Sequence, residues 1–479
     1  MIKSTLLELL KTFNKEELKR FEDFLRSPYY NNNSNVIKLF NVIKKYFPDF
    51  ASNNLNRESV WDELFREKSF NYGVMKNLIY ELQKLSEKFL QLQNYEENKF
   101  EQELNLLRIF NNRNLFQLFE KNLKLFKTAV NNSPIDPDHF YYKYLSEDLE
   151  QTYLSIHYKT KDRNFCRSEI MNESLMAFFY SNFFEKNYNS FHDSKLYNKS
   201  YDKRTLDIVL KSFENNPVSN NEFVLMHYYA IKTVINFDDD SSYLKLKKLL
   251  KKLFTKLNTD KKFNFSMALV NFCNFKIMKG NTRYVKELFD TYKMMVEHGF
   301  FNTGKDDYIS PPMYANIVSM AGNLKKFDWA EKFITDFKDR LHPSSGEQYY
   351  LLANVILNIK KKNYEDALQY LTKFKSKNEI EKITLKRFQI MIYYESGFFD
   401  ELYSLIDTSK HFISYDIKVT ETAKNVFANF LYFVQKLAEL KSGIKNGKRN
   451  EISLHNLKDE IMKREVSNKI WLLEKIDEL

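Results

Sequence analysis

The eight histidines of this 479-residue chain are the side chains best suited to bind a metal or to transfer a proton. They are dispersed, and none belongs to the H-E-x-x-H pattern that places two zinc ligands on one helical face. His227 lies between Met226 and Tyr228 and is predicted to occupy the core or its edge. The sequence therefore predicts no metal site and no cofactor.

The two cysteines show no sign of a catalytic role. A nucleophilic cysteine needs an oriented base and an electropositive environment, and neither Cys166 nor Cys273 belongs to a C-x-x-C pair. Arg163 and Arg167 beside Cys166 are the one feature that favours a reactive thiol, while Cys273 follows Phe272 and is expected to be buried. We therefore expect a protein that is not an enzyme and has no catalytic residues.

Two short stretches share features with ligand-binding loops but lack the required spacing. Three residues separate Gly443 from Gly447 where a phosphate-binding loop has four, and Arg449 stands in place of its Ser or Thr. Asp238–Asp240 lacks the alternating ligands and the glycine of a calcium loop. We interpret the first stretch as a solvated loop and the second as a helix start, where aspartates accept free backbone N–H groups.

Composition indicates which elements must position any site. Only 9 glycines and 8 prolines occur, while 43% of the residues are hydrophobic and 29% are charged. Such a chain favours long helices and excludes collagen-like, low-complexity and most turn-rich all-β folds. Asn14 followed by Glu17 fits the capping box of an early helix. The predicted fold class is all-α.

An aromatic residue recurs just inside the predicted second helix of successive helix pairs. The spacings are 42, 41, 43, 37 and 35 residues, which is typical of paired-helix solenoids. The recurring residues are Tyr201, Tyr243, Tyr284, Phe327, Tyr364 and Phe399. In the two clearest units an alanine follows three positions later, at Ala330 and Ala367, so the ring and the small residue share one helical face.

At these two units the chain resembles the tetratricopeptide-like superfamily of helical repeats, over residues 200–405. Asn354 and Val355 stand where that family has a leucine–glycine pair, and Glu287 and Leu402 stand where it has the alanine. The resemblance implies a right-handed solenoid of antiparallel helix pairs that acts as a scaffold and binds a peptide or protein partner. The N-terminal part resembles uncharacterised bacterial helical proteins, which implies no functional residue.

A second resemblance is confined to one unit. Glu287–Asp290, Met294–Phe300 and Tyr314–Val318 look like a pentatricopeptide repeat, a family that binds single-stranded RNA at about one base per repeat. The unequal repeat lengths and the inserted segment Tyr308–Pro312 argue against a regular base code. This resemblance keeps RNA or another nucleic acid as the alternative partner.

Basic residues cluster in the turns that precede several of the aromatic positions. Equivalent positions of a solenoid align into a ridge, and a basic ridge would bind an acidic segment or phosphates. We predict that the partner-binding residues are Arg283, Lys325, Lys326, Lys360, Lys361 and Lys362. Three aspartates interrupt the series before Tyr243, so a solvated edge is the alternative interpretation.

The charge of the chain is uneven. Lys and Arg number 74 against 63 Asp and Glu, and residues 251–479 carry a net charge of +9 out of +11. A basic half favours an acidic or nucleic-acid partner. An AT-rich genome, which also enriches asparagine and tyrosine, would give the same excess of lysine without selection for binding.

The segment Asn131–Pro137 is the clearest predicted boundary, because two prolines interrupt helical periodicity there. It separates an N-terminal helical module at 1–130 from a repeat region at 138–440. Capping helices at 451–479 follow the repeat region.

The sequence shows no disulfide framework, no signal peptide and no apolar run long enough for a membrane span. A cytoplasmic protein without a membrane partner is expected.

Overall fold

A computed structural model describes residues 4–157, 166–196, 199–302, 308–415, 419–445 and 451–479. Within these ranges the chain forms 23 α-helices and no β-strand, which confirms the predicted all-α class. In the same ranges no helix combines the length and the apolar character needed to cross a bilayer. In chain order the helices are α1 (Thr5–Leu10), α2 (Lys15–Arg26), α3 (Ser34–Lys44), α4 (Arg57–Leu64), α5 (Tyr72–Glu97), α6 (Lys99–Asn112), α7 (Phe116–Asn132), α8 (Pro137–His157), α9 (Cys166–Leu196), α10 (Arg204–Glu214), α11 (Glu222–Ile235), α12 (Asp240–Leu253), α13 (Thr259–Met278), α14 (Tyr284–Glu297), α15 (Pro311–Asn323), α16 (Phe327–Asp336), α17 (Gly346–Lys361), α18 (Tyr364–Lys373), α19 (Glu379–Ser396), α20 (Phe399–Tyr415), α21 (Glu421–Lys445), α22 (Glu451–Lys463) and α23 (Lys469–Asp477).

Asparagine side chains cap many of these helices. At α2, Asn14 Oδ1 accepts the backbone N–H of Glu17 at 2.9 Å, and Glu17 Oε2 accepts the backbone N–H of Asn14 at 2.8 Å, which confirms the predicted capping box. An N-cap asparagine also accepts a backbone N–H at α3, α4, α5, α6, α11, α13 and α19. Each such cap stabilises its helix by about 1 kcal/mol. A chain poor in glycine and proline thus uses asparagine to set where its helices begin.

The described residues divide into two compact units, and α8 contributes to both. The first unit is Met1–Asn132 with Ser146–Arg163, and the second is Ser133–Leu145 with Asn164–Leu479. The first change of unit falls within the segment Asn131–Pro137, where the sequence predicts a boundary. Helices α22 and α23 belong to the second unit.

The first unit has a core of packed aromatic rings. The ring centroid of Phe21 in α2 lies 5.1 Å from that of Phe40 in α3 and 5.3 Å from that of Phe89 in α5. The hydroxyl of Tyr153 in α8 donates to Glu120 of α7 at 2.8 Å. This bond helps to hold the second half of α8 within the first unit.

In the second unit most of the recurring aromatic residues lie at the start of a helix, as predicted. Those that do are Tyr243 as the fourth residue of α12, and Tyr284, Phe327, Tyr364 and Phe399 as the first residues of α14, α16, α18 and α20. The prediction is wrong for Tyr201, which precedes α10. A carboxylate oxygen of Asp202 accepts the backbone N–H of Arg204 at 3.0 Å, so the helix begins after this turn.

Helices of the second unit pack on their neighbours in sequence and on alternate helices. α11 packs on α12, α13 on α14, α15 on α16, α17 on α18 and α19 on α20. α11 also contacts α13, α15 contacts α17, and α17 contacts α19. Ala330 of α16 and Ala367 of α18 are fully buried. The small residues that follow the aromatic positions therefore lie on packed helix faces, where they permit close approach.

Buried polar contacts attach the last helix to α19. The ammonium of Lys475, a residue that is 4% exposed, lies 2.8 Å from Glu395 and 2.7 Å from Glu478. The indole N–H of Trp471 donates to the same Glu395 oxygen at 2.7 Å. Burial lowers the pKa of Lys475, but Glu395 and Glu478 outweigh burial and the net effect is an increase. Glu395 therefore links α23 to α19.

Replacing Glu395 by Gln is expected to lower the free energy of unfolding by about 2 kcal/mol, because the buried Lys475 loses its less exposed partner. Urea denaturation followed by tryptophan fluorescence measures this change. E474Q is the control, since Glu474 is an exposed carboxylate of α23, the helix that carries Lys475. The double variant E395L/K475M is expected to recover most of the loss. Equal effects of E395Q and E474Q would contradict a stabilising buried pair.

Candidate functional site: a basic cavity

A cavity of about 450 Å³ in the second unit brings together cations of the C-terminal half. Its walls come from α13, α15, α17, α19 and α21 and from the segment Val466–Trp471, which includes the start of α23. Lys360 of α17, Arg387 of α19 and Lys469 of α23 line it. Across the described ranges none of these three forms an ion pair. This concentration of positive charge makes the cavity the candidate functional site, which we call the basic cavity.

Lys360 reaches the basic cavity because α15 and α17 approach closely. Gly322 of α15 lies against the lysine stem, and a Cβ atom at Gly322 would stand 2.8 Å from Lys360 Cγ. Burial lowers the pKa of Lys360. The neighbouring Lys475 also lowers this pKa, while Glu474 and Glu395 raise it. The net effect is a decrease of the Lys360 pKa.

Arg387 presents a partly buried guanidinium. Its Nε is buried and has no hydrogen-bond partner in the part of the chain that the structure describes. Its Cζ lies 5.2 Å from the ring centroid of Phe388. Burial lowers the pKa of Arg387 from 12.5 to about 10. At neutral pH the guanidinium therefore keeps its charge although it is removed from water.

Lys469 is 5% exposed and donates a hydrogen bond of 3.2 Å to the carbonyl oxygen of Met462. Burial lowers the pKa of Lys469, and the neighbouring Lys279 lowers it further, while Glu465 acts in the opposite direction. Lys469 therefore has a carbonyl oxygen as its hydrogen-bond partner, and Glu465 compensates its charge only in part.

The rest of the lining is apolar or carries amides and hydroxyls. Leu352, Ile356 and Met391 supply apolar surface, and Asn323 has a buried Oδ1 without a hydrogen-bond partner in the described ranges. The residues that line the basic cavity include no histidine, cysteine or carboxylate in the described structure. The lining therefore offers donors for an anion and contacts for apolar groups.

The six residues predicted to bind a partner have different environments. Lys360 enters the basic cavity, and Lys361 forms an ion pair with Glu331 of α16. The other four, which are exposed, are Arg283, Lys325, Lys326 and Lys362. Consecutive helical residues point about 100° apart, so the adjacent lysines at the end of α17 cannot share one surface.

Sequence reasoning missed Arg387 and Lys469. Arg387 lies three positions after Thr384 and four positions before Met391, so the three residues share one helical face. A cation on the apolar face of a predicted helix is the signal that could have identified it. Lys469 stands between Asn468 and Ile470, and no local pattern distinguishes it from the many exposed lysines.

Other residues singled out in the sequence lie where they are expected. Asp239 Oδ1 accepts a backbone N–H of α12 at 3.0 Å, which confirms the helix start. Cys273 is fully buried, and burial raises its pKa to about 12. His227 is a core residue. The side chain of Cys166 and residues 446–450 of the glycine-containing loop lie outside the described residues.

No known family model, curated protein or solved structure matches this chain. These comparisons therefore supply neither a family nor an activity. The resemblance to tetratricopeptide-like repeats stays a prediction from the sequence, and the function must follow from the geometry of the basic cavity.

Replacing Lys360 by Met is expected to raise the free energy of unfolding by about 1 kcal/mol at neutral pH, because methionine fills the space without a buried charge. The folded-state pKa of Lys360 lies below the unfolded value of 10.5, so the unfolded chain binds the proton more tightly. Wild-type stability therefore rises as the pH increases toward the unfolded value, and the advantage of K360M shrinks.

Urea denaturation at neutral pH and just below pH 10.5 checks both effects. K362M is the matched control, because Lys362 is exposed at the end of the same helix. A destabilised K360M variant, or an advantage that is independent of pH, would contradict the burial of a charged Lys360.

Proposed function

We propose that the second unit is a non-enzymatic interaction scaffold that binds an acidic peptide segment of a partner protein in the basic cavity. The observation that carries this proposal is the placement of Lys360, Arg387 and Lys469 in one cavity without ion-pair partners in the described residues. A desolvated cation is unfavourable in the free protein and gains a charge-assisted hydrogen bond when a carboxylate enters. Folding thus prepares the cavity for an anionic ligand.

The helix contacts support a solenoid as the frame of this site. The helices α13, α15, α17 and α19 line the basic cavity, and each packs on the helix that follows it. Four of the six recurring aromatic residues belong instead to the following helices, α14, α16, α18 and α20. We infer antiparallel pairs whose first helices form the inner, ligand-binding face, as the tetratricopeptide-like resemblance implies.

The size and lining of the basic cavity favour a peptide. Trp471 and Met391 provide aromatic and apolar contacts near Arg387, and arginine and tryptophan are enriched among residues that dominate protein interfaces. A volume of about 450 Å³ accommodates a few side chains, whereas nucleic-acid binding needs cations spread along a phosphate backbone. The expected ligand is a carboxylate next to an apolar side chain.

Short fluorescent peptides rich in Asp and Glu, compared with matched peptides carrying Asn and Gln, test the proposal by fluorescence polarisation with the full chain. The acidic peptides are expected to bind at least about tenfold more tightly. R387M is expected to lose about tenfold in their affinity, because methionine removes the guanidinium donors. K362E, which changes an exposed turn, is the control and should bind nearly as the wild type does. Equal affinity for both peptide sets, or equal effects of R387M and K362E, would overturn the proposal.

Nucleic-acid binding is the second candidate, because the basic half also carries exposed cations. Four of the predicted partner-binding residues are among them, namely Arg283, Lys325, Lys326 and Lys362. The tyrosines at the repeat positions Tyr243 and Tyr284 are buried and offer no surface on which bases could stack. Reversal of the four exposed cations to Glu is expected to leave acidic-peptide binding in place. Tight binding of single-stranded RNA that falls steeply with salt and is lost on this reversal would favour the second candidate.

A further inference from the structure

A second cavity, of about 260 Å³, lies between α9, α11 and α13. Aromatic side chains form much of its wall, among them Phe184 and Tyr188 of α9 and Phe263 of α13. It shares no lining residue with the basic cavity, although both cavities involve α13. We call it the aromatic cavity.

The carboxylate that lines the aromatic cavity, Glu185, is already paired. Lys261 Nζ donates to Glu185 Oε2 at 2.6 Å, and Asn264 Nδ2 donates to Glu185 Oε1 at 3.2 Å. Lys261 is buried and Glu185 is only partly exposed. A charged ligand would have to separate this pair, so the site favours an uncharged one.

His227 leaves an unpaired nitrogen at the aromatic cavity. The residue is 3% exposed, and its Nε2 has no hydrogen-bond partner within the described ranges. Its ring lies between those of Phe223 and Phe265, with centroids 4.9 Å and 4.7 Å away. Burial lowers the pKa of His227, and Lys261 lowers it further, so the imidazole is neutral. A buried polar atom without a partner is unfavourable, and a ligand that bonds to it removes this cost.

Tyr188 supplies a complementary group. Its hydroxyl oxygen accepts from Asn271 Nδ2 at 3.0 Å, while its own hydrogen has no acceptor among the described residues. Burial raises the pKa of Tyr188 to about 12, so the hydroxyl stays protonated. His192 and the amides of Asn189, Asn264 and Asn271 also line the aromatic cavity. Among its polar groups the cavity thus presents the hydroxyl donor of Tyr188 and the unpaired imidazole nitrogen of His227.

We propose that the aromatic cavity binds a small uncharged molecule with a planar ring and a hydroxyl-like group that bonds to His227 and Tyr188. An apolar cavity of about 150 Å³ is sufficient to bind benzene. A volume of about 260 Å³ thus admits a substituted ring. The aromatic walls favour edge-to-face or stacked contacts with such a ring. This ligand is distinct from the acidic segment of the basic cavity.

The probes p-cresol and toluene test the proposal, because they differ only in the hydroxyl. Isothermal titration of the full chain is expected to show about tenfold tighter binding of p-cresol. The anion 4-methylbenzoate is expected not to bind at the aromatic cavity. H227F keeps a ring between Phe223 and Phe265, and Y188F removes the other hydrogen-bonding group. Either variant is expected to bring the affinity for p-cresol close to that for toluene while the affinity for toluene persists.

R387M separates this proposal from the proposed function, since it is expected to impair the basic cavity and to bind p-cresol as the wild type does. Equal wild-type affinities for p-cresol and toluene would overturn the proposal. So would unchanged p-cresol binding in both H227F and Y188F, or the absence of p-cresol binding up to its solubility limit, which would show that the polar groups of the aromatic cavity serve water only.

Discussion

The packing of aromatic rings between consecutive and alternate helices is the interaction on which the second unit depends. Tyr243 of α12 stacks on Phe272 of α13 with centroids 4.9 Å apart and meets Tyr284 of α14 edge-on at 5.6 Å. Trp329 of α16 contacts Phe289 of α14 in the same edge-on manner at 4.9 Å. Contacts of this size determine which helix faces are buried against each other, and so which faces remain to line a cavity.

Both cavities occur where this packing leaves polar groups without partners. Arg387 Nε and Asn323 Oδ1 at the basic cavity and His227 Nε2 at the aromatic cavity are buried without a hydrogen-bond partner in the described residues. A chain selected for stability alone would carry apolar residues at such positions. Buried polar groups without partners are concentrated at functional sites in proteins. The same argument therefore supports ligand binding at the basic cavity and at the aromatic cavity.

The sequence predicts those features of the fold that depend on local chemistry. The all-α class follows from the scarcity of helix breakers, and the helix starts at Tyr284 and Tyr364 follow from aromatic residues after polar turns. At Tyr201 the spacing misleads, because Asp202 places the start of α10 later. The basic cavity could not be predicted, since its cations come from three helices and spacing along the chain does not reveal which faces meet. Lys360–Lys362 illustrate this, because three adjacent lysines have three environments.

Capping by asparagine has a consequence for how this protein responds to acid. The amide oxygens of Asn98 and Asn258 accept backbone N–H groups at 3.1 Å and 2.9 Å, and an amide gains no proton in the range where carboxylates do. A carboxylate cap such as Asp239 weakens when it is protonated. Most of the capped helix ends therefore keep their boundaries as the pH falls. Acid sensitivity is left to paired carboxylates such as Glu287 of α14. Burial raises the pKa of Glu287, but hydrogen bonds from Lys247 and Tyr243 of α12 outweigh burial and the net effect is a decrease. Protonation of Glu287 therefore weakens a contact between two helices rather than a helix end.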